Sequence, residues 1–529
     1  MQVRQKERKQ EKGVDYLVFD CETDSFDGSP VEPFIWGWIK STGERGITYS
    51  KDEFINMLRD FDGIALAHNG GKFDTLLLSE YFEKGEIKLI NSRVAEVRIG
   101  KARVRDSFLI IPAPLSASGL KDDFDYKILD RNKKHLREIH KQKIERYLMQ
   151  DCVALFELVK RFYDAHGQRL TQAGAALKTW EKTLNGKVRR WGGAHDKHFR
   201  QFYYGGRCEA FKKGSLGDGW LYYDIKSSYP FAMAHEHTAS HLNEYHVYNK
   251  LNKITPQSFV RVIAESNRCL PSRGKYNTEY PAHTDRREYF ATGWEVLAGL
   301  ETNTLKIHDA TVYYPPFLET LKPYTDKFYA EKLAAEKSRD KVGRLIAKIF
   351  QNSLYGKYGT NADDYKKYLL VDAGQSRDGF SLHAEVGELD IIQRPDGGQF
   401  FDVALAASVT GFARSYLFRQ MLQVKDLAYT DTDSIICRGG EFDTGENLGQ
   451  WERVCRLDYF HVAGKKLYAG YDSAAGEWVT AHKGFSKLDT SHNDVIRAAN
   501  GEQFIVNRSA PSINVCGKQN FINRTMRKT

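Results

Sequence analysis

AYTDTDSIIC, Ala428 to Cys437, carries a short acidic tip between two apolar arms. Leu427, Ala428 and Tyr429 read as one strand, and Ile435, Ile436 and Cys437 as its return. Such a hairpin holds Asp431 and Asp433 close together. Two ionised carboxylates at that range repel, and one is forced to take a proton. A divalent cation removes the penalty, so the arrangement suggests a hard-metal site with oxygen ligands. A plain surface turn would use the same Asp, Thr and Ser, and the stretch alone does not decide between them. A calcium EF-hand loop fits poorly, because Ser434 leads into Ile435 and Ile436 where that loop needs a glycine turn.

The surroundings favour a multidomain enzyme. The chain has 529 residues, 41% of them hydrophobic, too many for one core. A net charge of +9 suits a polyanionic partner. Seven cysteines occur with no CxxC pair, which argues against a zinc site or a disulfide framework and for a reducing compartment. The longest apolar run, Phe108 to Leu120, is broken by Pro112 and Pro114 and is too short to span a bilayer. The basic N-terminal VRQKERKQEK lacks the apolar core of a secretory signal and reads as a solvated arm within reach of nucleic acid.

In the first third, the strand YLVFD ends at Asp20, and Glu22 follows two residues on, so both carboxylates share one face. Ile64 to His68 reads as a second strand, followed by Asn69, the glycine pair, Phe73 and Asp74. No phosphate-loop pattern surrounds that pair, so a nucleotide hydrolase is not indicated. Ile144 to Phe162 has helical spacing, with Tyr147 and Asp151 one turn apart on one face. Acids delivered by three separate elements, with a tyrosine to orient water, match a two-metal phosphodiesterase site.

The ordered motifs D-x-E, N-x-x-x-F-D and Y-x-x-x-D resemble the proofreading 3′–5′ exonuclease of family B DNA polymerases. That resemblance implies a ribonuclease-H-like domain with Asp20, Glu22, Asp74 and Asp151 as metal ligands. It places Thr23, His68, Asn69 and Phe73 on the single-stranded 3′ end, with Phe73 as a stacking face. Ser107 and Phe108 resemble the strand-end motif of the protein-primed branch, with Phe replacing Leu. Lys121 resembles its assisting lysine and Tyr126 a nearby tyrosine. An exposed loop lysine remains the plain alternative for Lys121.

The glycine-rich, basic residues 166–200 read as a connector. They run into Tyr203, Tyr204, Gly205 and Gly206. A turn explains the glycines locally, but Tyr203, Gly205 and Gly206 match the family's YxGG template motif. WLYYD then reads as a strand ending in Asp224. The continuation resembles D-x-x-S-L-Y-P, with Ser228 in place of Leu. By resemblance Asp224 is a polymerase metal ligand, Ile225 a ligand beside it, Ser227 a DNA contact, and Tyr229 the ring under the incoming sugar. Residues 235 to about 325 read as an irregular stretch of turns and short strands.

Lys327 to Tyr358 reads as one long helix. Lys337, Lys341, Arg344, Lys348, Asn352 and Tyr355 fall on one face of it. Such a stripe is usually a solvated face. Here its like-charge neighbours would cost a free helix roughly 1 kcal/mol, which a bound triphosphate would offset. The helix end matches K-x-x-x-N-S-x-Y-G, so Lys348 is expected on the phosphates and Asn352 and Tyr355 in the nucleotide pocket. Lys332 and Lys337 both remain candidates for a further phosphate lysine. Thr410 and Arg414 match T-x-x-A-R, a template contact. Asp433 would be the second metal ligand, with Asp431 close by, and Lys466 and Tyr468 match K-x-Y at the primer terminus.

The chain is thus expected to be an α+β multidomain protein resembling a protein-primed family B DNA polymerase of phage or linear-plasmid type. The expected parts are an exonuclease domain (1–167), a connector (168–207) and a first palm segment (208–234). A terminal-protein and duplex insertion (235–325), fingers (326–359) and a processivity insertion (360–402) follow. A second palm segment (403–484) and a thumb (485–529) complete the chain. Expected cofactors are Mg²⁺ or Mn²⁺, two per active site. Expected partners are template and primer DNA, deoxynucleoside triphosphates, a terminal protein and a single-strand-binding protein, with no membrane, in the host cytoplasm. The rival readings are a family B polymerase with an ordinary primer or none, and an inactive DNA-binding factor.

Overall fold

The computed structural model describes residues 13–121, 124–183, 196–239, 245–275, 277–315, 317–398 and 401–529. The basic N-terminal arm lies outside them. Two large sheets carry the acidic motifs.

The first sheet is mixed and ten-stranded. Tyr16–Thr23 sits well inside it, antiparallel to Pro33–Lys40 and parallel to Ile64–Ala67. Ile64–Ala67 is in turn parallel to Ala102–Asp106. Leu17, Val18 and Phe19 are buried on both faces, as a short continuous apolar run requires. The helix Lys141–His166 covers one face, burying Leu148, Cys152, Leu155 and Val159.

Beyond Gly85–Ile90 the sheet does not stop. Lys366–Asp372 pairs antiparallel with that strand, and Leu389–Pro395 and Ser381–Val386 extend it further. Leu370, Val386 and Ile391 join the same core as Leu17 and Phe19, together with Ile513 near the C-terminus. The polar stretch after residue 360 is therefore built onto the N-terminal sheet.

The second sheet is eight-stranded. Trp220–Ile225 lies between Ser434–Arg438 and Trp451–Gly464, antiparallel to both. Asp426–Asp431 and Ser434–Arg438 form the hairpin expected from the sequence. The helix Val403–Met421 packs against it through Leu417 and Met421.

Two expectations are corrected. The described residues of 235–325 are largely regular: His246–Tyr248, Leu305–Tyr314, Phe259–Asn267 and Ala282–Thr292 form a four-stranded antiparallel sheet. Val260, Val262 and Ala264 alternate into its core. The single long helix is three: Lys322–Lys337, Lys341–Gln351 and Leu354–Tyr358. Arg339 takes a left-handed backbone (φ 59°) and Asp340 caps the second helix by accepting from Gly343 N at 3.0 Å. The chain turns there, so Lys337 does not continue the Lys341–Lys348 face. Among the described residues, no helix is long and apolar enough to cross a membrane.

Candidate active sites

The acidic hairpin closes through a tight turn at Thr432 (φ 60°), with Asp433 N donating to Asp431 O at 2.6 Å. Pairing of Asp224 with Ser434 brings Asp224 beside Asp433. Ile225 N donates to Asp433 O at 2.8 Å, locking the two strand ends. Burial, then the charge of Asp433, pushes Asp224 up to about 7. Burial, then the charge of Asp431, pushes Asp433 up to about 6. Lys348 opposes both shifts, so its positive charge lies within electrostatic reach of the pair. Two half-buried carboxylates that resist joint ionisation form an oxygen-donor set suited to a hard divalent cation. Ile225 can contribute only its carbonyl.

Lys466 Nζ reaches Asp431 Oδ2 at 3.0 Å, and its backbone N donates to Tyr429 Oη at 2.7 Å. Tyr468 packs against Tyr429 and Phe460 in the sheet core. Of the K-x-Y pair, Lys466 is the one exposed for a strand.

Ser227 is left-handed (φ 53°) and starts the helix Ser228–Met233 that carries Tyr229 onto the ring of Tyr355. Asn352 Nδ2 donates to Lys348 O at 2.9 Å. Lys332 feels the charges of Arg344 and Lys348, and Lys337 is the last residue of the same helix. Lys332 thus lies within electrostatic reach of Lys348. Glu452, which the sequence reading missed, pairs with Asp224 across the sheet and adds to its negative surroundings. Lys226 Nζ lies 3.3 Å from the Glu452 carboxylate.

Thr410 and Arg414 are not where a template contact was expected. They are 1% and 2% exposed, so both side chains are turned into the protein. Arg414 instead donates to the carbonyls of Tyr204 (2.5 Å) and Gly205 (2.9 Å) and pairs with Glu295 at 2.8 Å. Gly206 faces Thr432: a Cβ there would lie 2.6 Å from the Thr432 hydroxyl. Gly205 is exposed, and a Cβ there would meet nothing within 4 Å, while Tyr203 lies against Gly359.

The second acidic group sits on the first sheet. Carboxylate oxygens of Asp20, Glu22 and Asp151 lie within 4.8 Å of one another. Burial raises all three above the usual carboxylate range, Glu22 to about 8, and their mutual repulsion adds to it for Asp20 and Glu22. Burial lifts Asp74 to about 6 while the Cys21 thiol donates to it at 3.2 Å. Among the described residues, Asp151 Oδ1 is buried without a hydrogen-bond partner, although Lys121 Nζ holds Oδ2 at 2.6 Å. A buried orphan oxygen amid carboxylates fits a cation position. Tyr147 Oη shares a 2.6 Å hydrogen bond with Tyr126 Oη, and Lys121 lies over the Tyr147 ring.

The expected strand-end contacts divide. Phe73 and Asn69 stay partly accessible, Asn69 accepting from Arg93 at 2.9 Å. Thr23 is 7% exposed, its hydroxyl donating to Asp24 O at 3.0 Å. Ser107 is fully buried and donates to Ala67 O at 3.2 Å, so its hydroxyl ties down a strand end. Both His68 nitrogens are engaged, by Ser107 and by Ala113 O, and burial lowers the ring to about 4. Phe108 lies beside His68 and under Arg93.

Residues 117–386 match the family described as DNA polymerase type B, organellar and viral. The chain is 34% identical to the DNA-directed DNA polymerase of Enterobacteria phage PRD1, over 99% of this chain and all of that one. It is 22% identical to a probable DNA polymerase of Agaricus bitorquis, over 70% of this chain and 53% of that one. Its fold matches Phi29 DNA polymerase complexed with primer-template DNA, with a TM-score of 0.74 at 16% identity, over 98% of this chain and 100% of that chain.

Proposed function

We propose, from the premise that this chain belongs to the type B DNA polymerases of organelles and viruses and is a DNA-directed DNA polymerase of the protein-primed, phage type, that it copies a linear genome and edits its own product at a second site. The observation that carries this reading is the pairing of Asp224 with Ser434, which sets two strand-end carboxylates side by side within reach of the Lys348 charge.

In this reading Asp224 and Asp433 hold the divalent cations, with the Ile225 carbonyl beside them. Bound there, Mg²⁺ supplies the charge that lets both carboxylates stay ionised and lowers the cost of freeing the primer 3′-oxygen for attack on the α-phosphate. Lys348, helped by Lys332, neutralises the triphosphate as a point charge. Tyr229 lies under the sugar, where its ring excludes a 2′-hydroxyl, and Tyr355 packs on the nascent pair. Lys466 holds the primer end.

Asp20, Glu22, Asp74 and Asp151 form the 3′–5′ exonuclease centre, with Tyr147 orienting water and Lys121 steadying Asp151. Asn69 and Phe73 receive the frayed strand. Residues 208–234 and 403–484 serve as palm, 326–359 as fingers and 485–529 as thumb. Residues 235–325 would take the duplex and a terminal protein whose hydroxyl is the first acceptor. Residues 360–402 would retain DNA during elongation. The work is done in the cytoplasm of the host cell, where a single-strand-binding protein would cover the displaced strand.

The test is nucleotide incorporation with Mg²⁺ on a primed single-stranded template. Wild type and Asp20→Ala plus Asp74→Ala should both extend the primer, and only wild type should degrade 3′ ends. Asp224→Asn plus Asp433→Asn should bind DNA without synthesis. Synthesis by that variant would overturn the assignment. A separate assay offers terminal protein in place of the primer.

A further inference from the structure

Glu295 opens the helix Gly293–Glu301 outside both acidic groups. Its Oε2 accepts from Thr292 N at 3.1 Å and from the Thr292 hydroxyl at 2.8 Å, closing a capping box. The box needs only one of its oxygens. The other, Oε1, accepts from Arg414 Nε at 2.8 Å, and both residues are 2% exposed.

A buried ion pair is weak support for a fold, because desolvation offsets most of the attraction and an apolar pair would pack as well. What marks this pair is where Arg414 Nη1 goes. Arg414 Nη1 ends on two successive carbonyls, those of Tyr204 and Gly205, and not on its own helix. The loop it grips then meets the acidic hairpin twice. Arg207 O accepts from Thr432 N at 2.6 Å, and Gly206 leaves no room between loop and Thr432 for a side chain. Thr432 in turn donates to Asp431 Oδ1 at 3.1 Å. Thr432 is also the residue forced into a left-handed backbone, so the tip needs holding from outside.

We infer that Glu295 is a positioning residue of the polymerase reaction: it fixes Arg414, Arg414 fixes the Tyr204–Gly205 backbone, and that loop fixes the turn between Asp431 and Asp433. The inference rests on the reading of Asp433 as a polymerase metal ligand. It makes the four-stranded sheet's own helix part of the machinery that sets carboxylate spacing, although no atom of Glu295 reaches substrate.

The test uses the full chain and Glu295→Gln, which keeps shape and a capping acceptor but removes the charge. Active enzyme is counted by primer-template titration, so misfolded protein does not enter the result. Per active molecule, kcat for single-nucleotide incorporation should fall about tenfold, as a small displacement of reacting groups does. The Mg²⁺ concentration for half-maximal rate should rise severalfold, and KM for the nucleotide should hold within about twofold. A purely structural brace would lower the active fraction and leave kcat and the Mg²⁺ requirement per active molecule unchanged. That outcome overturns the inference. If Glu295→Gln does not fold, Gly206→Ala reads the same link from its other end with the buried pair intact, and an unchanged Mg²⁺ requirement there overturns it equally. Asp433→Asn runs alongside: normal synthesis by it would mean that the site reading has failed and not the link.

Discussion

Tyr229 and Tyr355 lie face to face, ring centroids 4.2 Å apart and planes 15° apart. One ring comes from the helix after Asp224, the other from the short helix after Asn352, so the stack bridges the acidic sheet and the basic helices. Aromatic pairs of this kind contribute roughly 0.5–1.5 kcal/mol beyond area burial.

Tyr355→Ala should therefore weaken nucleotide capture more than chemistry. The expected result is a three- to tenfold rise in KM for the correct nucleotide, about 1 kcal/mol, with kcat within about twofold. Single-turnover incorporation over a range of nucleotide concentrations measures it.

Asp224→Asn should separate stability from function. The wild-type carboxyl is raised to about 7 by burial and by Asp433, so its ionised form burdens the fold above that pH. In metal-free buffer at pH 8 the Asn variant should melt higher than wild type. The gap should shrink as pH falls from about 7 towards 4, because the wild-type group then takes up its proton in the folded state first. Mg²⁺ should raise the wild-type midpoint and leave the variant's nearly unmoved. A variant that melts lower at pH 8 would contradict this account.

His237 should make the fold acid-sensitive. Its ring is fully buried between Ser408 Oγ (2.9 Å) and Ala232 O (2.7 Å), and burial lowers it to about 4. The unfolded chain binds this proton from pH 6.5 downwards and the folded one does not. Stability is therefore intact above pH 6.5 and is lost progressively down to about 4, by about 3 kcal/mol when complete. Denaturant melts across that window, compared with His237→Gln, should show the slope flatten in the variant.

Leu370→Ala should loosen the segment that extends the first sheet. Leu370 is 1% exposed and shares a core with Val386 and Ile391, so the change should cost about 2–4 kcal/mol locally. Product lengths in primer extension with a heparin trap should shorten, while the rate of adding one nucleotide should stay within about twofold.

The legibility of these parts follows the range of the forces that make them. Asp20 and Asp224 each end an apolar run, so local pattern reveals both strand ends. Which strand lies beside Asp224 is decided by packing across hundreds of residues, and for that reason Glu452 carried no local signal. The break at Arg339 was hidden because the stretch keeps helix-forming residues throughout, although Asp340 three residues before Gly343 is an N-cap pattern. Thr292 and Glu295 spell a capping box in the sequence, yet nothing there points to Arg414, 119 residues away. Motif matching placed Arg414 and Ser107 on DNA because it reports association with a function, and it carries no sign that both side chains are buried and donate to backbone carbonyls.

The pairing of Tyr368, Leu369 and Leu370 with Ile87, Glu86 and Gly85 also limits how this chain can be remodelled. Residues 366–395 look like a cassette that could be cut out or exchanged with that of a relative. Removing them would bare a row of unpaired N–H and C=O groups along Gly85–Ile90, a ready template for strands from other molecules. A shortened chain should precipitate or self-associate before it shows any enzymatic defect, so exchange at this point must carry the Gly85–Ile90 strand along with the segment.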